Sequence, residues 1–258
     1  MATLTVCTGP KDFKVVPHAE WTQSRVKFLE KEKEFTKLRD ELARLRRELP
    51  WEKVEKSYVF DGPDGKETLA DLFAGQPQLI VQHLMFGPDD KMACKSCSFW
   101  ADSMDANEIH LRHRNTQFVA ISRAPLAKIE DYRKRMGWRF KWLSAFANEF
   151  NFDYGVSFTP EQLKNGAVYN YRHGKVGNAE LPGFSVFVKD AKDEIFHSYS
   201  TYTRGLDALN PTYQVLDLTP MGRDEETQKP HEMAWVRRHD EYENATPAAA
   251  ASCCNGKQ

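Results

Sequence analysis

The sequence lacks both the long apolar stretch that would cross a membrane and the strong charge of one sign that would suit a nucleic acid. No run approaches the roughly 20 apolar residues of a membrane-spanning helix. The formal net charge of -1 provides no basic field, so we expect no nucleic-acid partner. The segment Met1–Cys7 lacks the charged and apolar regions of a secretion signal, which predicts a cytoplasmic location.

Cysteine is also scarce, and the five cysteines among the 258 residues are Cys7, Cys94, Cys97, Cys253 and Cys254. An odd number at such unequal spacing excludes a disulfide framework. Structural disulfides are rare in the cytoplasm, so closely spaced cysteines there indicate redox or metal chemistry. The CxxC segment, which reads Cys94-Lys95-Ser96-Cys97, is therefore the predicted chemical centre.

A charged segment without glycine or proline extends from Glu20 to Leu49 and ends before Pro50. Its apolar residues recur at spacings of seven and then of three and four: Phe28, Phe35, Leu38, Leu42, Leu45 and Leu49. This periodicity predicts one long amphipathic helix. We expect its apolar stripe to pack on the chain's own domain, with a self-pairing coiled coil as the alternative.

The rest of the chain alternates predicted strands and helices. The elements, in order, are strand Gln78–Phe86, helix Ser98–Arg114, strand Gln117–Ser122, helix Leu126–Met136 and the strands Gly183–Val188 and Glu194–Ser200. The first four form a βαβ unit with parallel strands, and the last two form an antiparallel hairpin. This order predicts an α/β protein with a three-layer, thioredoxin-like fold.

Three regions are predicted: an N-terminal extension with the long helix at 1–50, a thioredoxin-like domain at 51–243, and a disordered tail at 244–258 that carries Cys253 and Cys254. The domain contains an unusually aromatic stretch in which Trp138, Trp142 and Phe146 fall at helical spacing. This spacing predicts an inserted helical segment whose aromatic rings form core rather than a ligand site.

The position of the CxxC gives it chemical meaning. It lies between a buried strand and a helix, so Cys94 is expected at the helix start, where unpaired N–H groups and the helix dipole stabilise a thiolate. Lys91 and Lys95 add positive charge. Cys97, one turn later, could then resolve a mixed disulfide formed at Cys94. The plain alternative is a pair of inert core cysteines, and a zinc knuckle would need a second ligand pair that the sequence lacks.

Three residues outside the CxxC are candidates for the same site. His83 could ligate a metal together with Cys94 and Cys97, could act as a proton carrier, or could be a hydrogen-bonded histidine near a strand end. Trp100 could wall a substrate pocket or pack in the core. Arg204 could anchor a carboxylate or phosphate, or could fix its own loop.

The chain resembles the bacterial family known as domain of unknown function 899 from about Pro17 to Tyr242. The segments that carry the resemblance are Glu20-Trp21, Lys31–Glu34, Leu38–Leu42, Leu49–Trp51, Tyr58–Gly62, His83–Pro88, Cys94–Asp102, Phe150–Phe158, Tyr202–Gly205 and Arg238–Tyr242. The resemblance implies a fold related to the thioredoxin and peroxiredoxin superfamily. Lys95 departs from the family pattern, which more often has proline after the first cysteine.

Three functional hypotheses follow. The first is a thiol–disulfide oxidoreductase or thiol peroxidase in which Cys94 attacks a disulfide or peroxide and Cys97 resolves the product formed at Cys94. A cellular thiol supplies the electrons, and no cofactor is required. The second is a protein that binds copper or another thiophilic metal through Cys94, Cys97 and His83. The third is an interaction module with vestigial thiols that docks through its charged helix. A second copy of the chain, giving a homodimer, is a possible partner.

Overall fold

The computed structural model describes residues 14–226, 228 and 231–242. Within these residues, eight strands form one mixed sheet in the order β1-β10-β9-β4-β5-β6-β2-β3, and β7 and β8 form a separate hairpin. The strand bounds are β1 Glu52–Lys53, β2 Val59–Gly62, β3 Gly65–Thr68, β4 Gln78–His83, β5 Thr116–Ser122, β6 Lys141–Ser144, β7 Ala167–Tyr169, β8 Arg172–Gly174, β9 Gly183–Lys189 and β10 Ile195–Tyr202.

The α-helices of the described residues are α1 His18–Arg47, α2 Lys95–Arg112, α3 Leu126–Met136, α4 Phe150–Asp153, α5 Pro160–Asn165 and α6 Pro211–Leu216. Two core clusters lie on opposite faces of the sheet, because side chains alternate along each strand. In β5, for example, Phe118 and Ala120 belong to the cluster that contains residues of α2 and α3. Val119 and Ile121 belong to the other cluster.

The connectivity of the central strands defines the fold. β4 pairs with β5 in parallel, and α2 is the connection between them. β9 pairs antiparallel with both β4 and β10. Parallel strands joined through a helix, followed by an antiparallel hairpin on the other side of the first strand, make a thioredoxin-like fold. The sequence prediction of this fold and of its central elements is confirmed, and α3 has the predicted bounds Leu126–Met136.

The long helix is present, but the prediction that its apolar stripe packs on the domain is wrong. No residue of α1 is buried. The exposed fractions of Phe28, Phe35 and Leu38 are 60%, 59% and 65%. Contact with the domain includes the guanidinium of Arg46, which lies 4.8 Å from the ring centre of Tyr199. A stripe of apolar residues indicates that one face of a helix is buried against a partner. The periodicity of the stripe does not identify that partner.

The helical interpretation of Trp138, Trp142 and Phe146 is also wrong. Trp142 lies in strand β6, and Trp138 precedes that strand. Trp138, Phe140 and Trp142 are buried in one cluster at a spacing of two residues, whereas Phe146 is 52% exposed. The spacing of four residues fits a strand as well as a helix, since both bring such residues to one face. The insertion does contain helices, namely α4 and α5.

Some predicted features fall outside the described residues: Cys7, the tail 244–258 and its Cys253 and Cys254. The division at residues 50 and 243 therefore stays a prediction. Among the helices that the structure describes, none is long and apolar enough to cross a membrane.

Candidate active site

The two thiols lie at the start of α2. Cys94 is the N-cap residue of the helix and is partly exposed, while Cys97 is buried within the first turn. The backbone N–H of Cys94 donates to the Met85 carbonyl at 3.0 Å, which ties the loop before the helix to the chain that leaves β4. Because the first N–H groups of a helix have no partner within it, this placement surrounds the Cys94 sulfur with donors.

Hydrogen bonds shift the pKa values of the two thiols in opposite directions. The Cys97 thiol is the main donor to Cys94, and the backbone N–H groups of Cys97 and Ser96 and the Ser96 hydroxyl also donate, so the pKa of Cys94 falls to about 6 although burial opposes this. The pKa of Cys97 lies well above its ordinary value, because its proton is held by Cys94 and its sulfur is buried. Cys94 is thus the more readily ionised thiol of the pair, and Cys97 is its protonated partner.

The lowered pKa predicts the pH dependence of alkylation. Only the thiolate reacts with iodoacetamide, and a depressed pKa keeps Cys94 ionised above about pH 6 and protonates it below that value. We expect the alkylation rate of Cys94 to reach half its maximum near pH 6, measured by mass spectrometry of the peptide that contains both thiols. In the Cys94→Ser control, Cys97 should stay unreactive below about pH 8. A midpoint for Cys94 near that of a free thiol would contradict the assignment.

A directed chain of hydrogen bonds fixes the first turn of α2. The Arg238 Nε donates to the Tyr132 hydroxyl at 2.7 Å. The Ser98 hydroxyl donates to the Cys94 carbonyl at 2.9 Å, so the Tyr132 hydroxyl, 2.9 Å from the Ser98 oxygen, is the donor in that contact. On the sheet side, the Gln82 Nε2 donates to the Cys97 carbonyl at 3.0 Å. These side chains restrain the backbone of both cysteines.

The C-terminal part of the described chain lies across the start of α2. Arg238 Nη2 donates to the Ala93 carbonyl at 2.7 Å, one residue before Cys94. The Lys95 ammonium donates to the Ala234 carbonyl at 3.1 Å. The ring of Trp235 meets that of Phe99 edge-on, with centroids 5.6 Å apart. We call residues 231–242 the C-terminal strap, since they cover one side of the site.

A cavity of about 240 Å³ opens beside the thiols, and both cysteines line it. Its other apolar walls are Met85, Trp100, Pro182, Phe184, Leu206 and Met233. The polar side chains at it include Gln82, Ser96, Thr203, Arg204 and Asp207. Pro182 directly precedes β9 and contributes one of these apolar walls. The cavity thus offers an apolar environment with few charged groups next to a thiolate.

One wall of the cavity has a strained backbone. Thr203 has a φ of 49°, which places a β-branched residue in the left-handed region. Such a conformation costs on the order of 1–2 kcal/mol and persists where its surroundings hold it. Thr203 begins the 3₁₀ segment Thr203–Leu209, which turns the chain from β10 back over the cavity.

His83 borders the cavity, but its ring belongs to the other face of the sheet. Nδ1 lies 3.2 Å from Asn151 Oδ1, which can only accept, so Nδ1 carries the proton and Nε2 accepts from the Ser185 hydroxyl at 2.8 Å. Burial lowers the pKa of His83 to about 4, which keeps the ring neutral. The ring stacks on Phe150 and Tyr154, with centroids 5.6 and 6.0 Å away. Both ring nitrogens therefore have partners other than the thiols.

Among the described residues, no three His, Cys, Asp or Glu side chains form a group that could hold a metal ion. The structure places the two thiols that the copper hypothesis requires close together. His83, the third ligand suggested by the sequence, has other partners for both of its ring nitrogens. Whether the thiols bind copper stays a prediction, and it is included in the experiment described below.

Trp100 and Arg204 both reach the cavity. Trp100 is 7% exposed, and its indole N–H donates to the Leu206 carbonyl at 2.8 Å, so it packs in the core and walls the cavity at once. Arg204 lies at the rim with a side chain that is 75% exposed, and its Nε donates to Asp207 at 2.7 Å. Its role as an anchor for an anionic group stays a prediction.

Three residues that hold the first turn of α2 were not among the candidates from the sequence: Gln82, Tyr132 and Arg238. Gln82 did carry a signal, because it is a polar residue that directly follows the apolar run Leu79–Val81 of β4. Arg238 lies within a segment that carries the family resemblance, but its contact with Ala93 spans 145 positions of sequence. Tyr132 has no distinguishing signal, since a tyrosine on a helix is ordinary.

Fold and site together define a thioredoxin-like protein with a dithiol, one thiol partly exposed and one buried, at a helix start. The chain belongs to the family described as "Bacterial protein of unknown function (DUF899)", which matches residues 10–242. No curated protein shows a significant match to the sequence.

Several solved structures resemble the chain. Peroxidoxin BcpB from Mycobacterium tuberculosis is 13% identical, with a TM-score of 0.42 over 65% of this chain and 97% of that one. The bacterioferritin comigratory protein of Xanthomonas campestris is 11% identical, with a TM-score of 0.45 over 64% and 94%. A hypothetical protein from Sinorhizobium meliloti is 15% identical, with a TM-score of 0.37 over 57% and 68%. At such low identity, these likenesses carry no conclusion about activity.

Proposed function

We propose that this protein is a two-cysteine thiol peroxidase that reduces a small, apolar hydroperoxide. The observation that carries the proposal is the position of the Cys94 thiolate in the wall of an apolar cavity, with the protonated Cys97 thiol as its hydrogen-bond donor. The nucleophile, the resolving thiol and a space for substrate are thus adjacent.

The reaction has three steps. The Cys94 thiolate attacks the outer oxygen of ROOH and breaks the O–O bond, and one proton from solvent converts the leaving alkoxide to ROH, which leaves Cys94 as a sulfenic acid. The Cys97 thiol then attacks the Cys94 sulfur, forms the Cys94–Cys97 disulfide and releases water. Two equivalents of a cellular thiol reduce this disulfide and are themselves oxidised to a disulfide.

The walls of the cavity support a small, apolar substrate. Hydrocarbon and thioether side chains such as Met85, Phe184 and Leu206 give an alkyl or aryl group favourable contact. Met233 closes the cavity from the side of the C-terminal strap. Hydrogen peroxide has no apolar group and would gain nothing from these walls.

The test compares substrates on the reduced protein. We expect one equivalent of cumene hydroperoxide to form the Cys94–Cys97 disulfide, detected as a loss of two hydrogens, at least tenfold faster than hydrogen peroxide does. Met233→Glu should remove this preference, because it places a carboxylate at the cavity wall, and the control Met221→Glu changes a methionine that is 43% exposed elsewhere.

Two results would overturn the proposal. One is oxidation by glutathione disulfide but by neither peroxide, which would make the protein a disulfide oxidoreductase. The other is near-stoichiometric copper in protein isolated without reductant, lost in Cys94→Ser, which would make the thiols a metal site.

A further inference from the structure

The apolar face of α1 has no partner within the described chain. Its larger apolar side chains are all more than one third exposed: Trp21, Val26, Phe28, Leu29, Phe35, Leu38, Leu42 and Leu45. A 30-residue helix with no buried residue gains little stability from its own domain. Such a row of exposed aromatic and aliphatic residues is typical of an interaction surface.

The apolar residues follow a heptad repeat. Four of them are seven residues apart and occupy the first core position, a: Trp21, Phe28, Phe35 and Leu42; Leu49 continues the spacing just beyond the end of the helix at Arg47. The second core position, d, three residues after each a, is Leu38 and Leu45 in the C-terminal half and the polar Ser24 and Lys31 in the N-terminal half. Four such heptads are enough for a two-stranded coiled coil.

The charges beside this seam identify the partner. In a parallel, in-register pair of helices, each g residue faces the e residue five positions later on the other helix. In this chain the four pairs are Glu20 with Arg25, Lys27 with Glu32, Glu34 with Arg39, and Glu41 with Arg46. All four pairs have opposite signs, although the sign reverses along the helix at the second pair.

An antiparallel pair would not have this complementarity. There g residues face g residues, and three of the four g residues named above are glutamates. We propose that α1 pairs with α1 of a second copy of this chain as a parallel, in-register coiled coil. The pairing buries the apolar side chains at the a and d positions, leaving Val26 and Leu29 outside the seam, and matches each of these four g residues with an opposite charge.

A charge exchange tests the pairing. Variant A carries Lys27→Glu and Glu34→Lys, and variant B carries Glu32→Lys and Arg39→Glu; each leaves the net charge at -1. Each variant alone faces like charges in the pair, so we expect its self-association to weaken by about tenfold or more in sedimentation equilibrium. An equimolar mixture of A and B restores all the attractions, so it should associate as tightly as the original protein.

The mixture also controls for effects within one helix. Each variant breaks one ion pair within its own helix. Variant A loses the pair of Lys31 with Glu34 at 2.8 Å, and variant B loses the pair of Arg25 with Glu32 at 2.7 Å. Mixing the two variants cannot restore these pairs. Recovery of the dimer on mixing therefore reports contacts between chains. A full-length protein that stays monomeric at high micromolar concentration, or a mixture no tighter than A or B alone, would overturn the proposal.

A disulfide tests the direction of the helices. In a background with all five native cysteines changed to serine, Ser24→Cys places a thiol at a d position, where the two copies meet in a parallel pair. We expect a disulfide-linked dimer on mild oxidation, and none for the control Gln23→Cys, one residue earlier on the outer face. Equal cross-linking of the two variants, or none for Ser24→Cys in a protein that is dimeric, would exclude the parallel register.

Discussion

Cys94→Ser is expected to abolish hydroperoxide reduction, with a loss of at least about 10³-fold in kcat/KM. The serine hydroxyl is not ionised near neutral pH, so no nucleophile remains at the position where the Cys97 thiol and the backbone donate. Cys97→Ser should behave differently. It keeps Cys94 as a nucleophile but removes the resolving thiol, so it should consume one equivalent of hydroperoxide and then stop.

The trapped species distinguishes the two roles. In Cys97→Ser, dimedone should label the Cys94 sulfenic acid, and mass spectrometry should locate the label at that residue. The Cys94 thiol should also be less acidic in this variant, because Cys97 is the main donor that lowers its pKa. Labelling at Cys97 in the Cys94→Ser protein, or undiminished turnover by it, would show that the roles have been assigned the wrong way round.

Arg238→Ala is expected to have the largest effect on stability among residues of the C-terminal strap, a loss of roughly 2–4 kcal/mol in the free energy of unfolding. The guanidinium donates to the Ala93 carbonyl and to the Tyr132 hydroxyl, both at 2.7 Å, and its side chain is only 14% exposed. Removing it leaves the Ala93 carbonyl without this charged donor beside a cavity wall. Chemical denaturation of the reduced protein measures the loss.

The neighbouring arginine provides a matched control. Arg237 is exposed and donates to carbonyls of its own strap, those of Ala234 and Val236. We expect Arg237→Ala to change the free energy of unfolding by less than about 1 kcal/mol. If the two variants are equally stable, the contacts of Arg238 with Ala93 and Tyr132 do not hold the strap at the start of α2. Arg238→Ala should also speed alkylation of Cys94, since the strap covers one side of the site.

The central part of the fold was predictable because its signals are local. The apolar runs of β4 and β5 are long enough to be buried strands, and a CxxC between strand and helix must lie at the helix start. The stripe on α1 was equally visible, but its partner was not, because burial against the same chain and burial against another chain require the same periodicity. Trp138 and Trp142 were misassigned for a related reason, since a spacing of four suits a strand and a helix alike.

The site was predictable in its reactive atoms and only in part in its walls, of which Trp100 and Arg204 were candidates from the sequence. Cys94 and Cys97 are adjacent in sequence, and their chemistry follows from residue type and position. The cavity beside them is closed by Pro182, Thr203 and Met233, which come from three separate segments of the chain. Contacts across more than one hundred positions depend on how the chain returns to the sheet, and one sequence alone does not contain that information.

The outer edge of β10 is only partly paired, which bears on the aggregation of the protein. β10 is eight residues long, but β1 covers it with two, pairing Glu52 with His197 and Lys53 with Phe196. Farther along β10, Arg46 lies over the ring of Tyr199, and the Tyr171 hydroxyl donates to the Ser200 carbonyl at 3.2 Å. Unpaired strand edges recruit strands from other molecules and seed aggregates. The base of α1 and the tip of the β7–β8 hairpin lie along this part of β10, so we expect a chain shortened past Lys53 to aggregate more readily than the full chain.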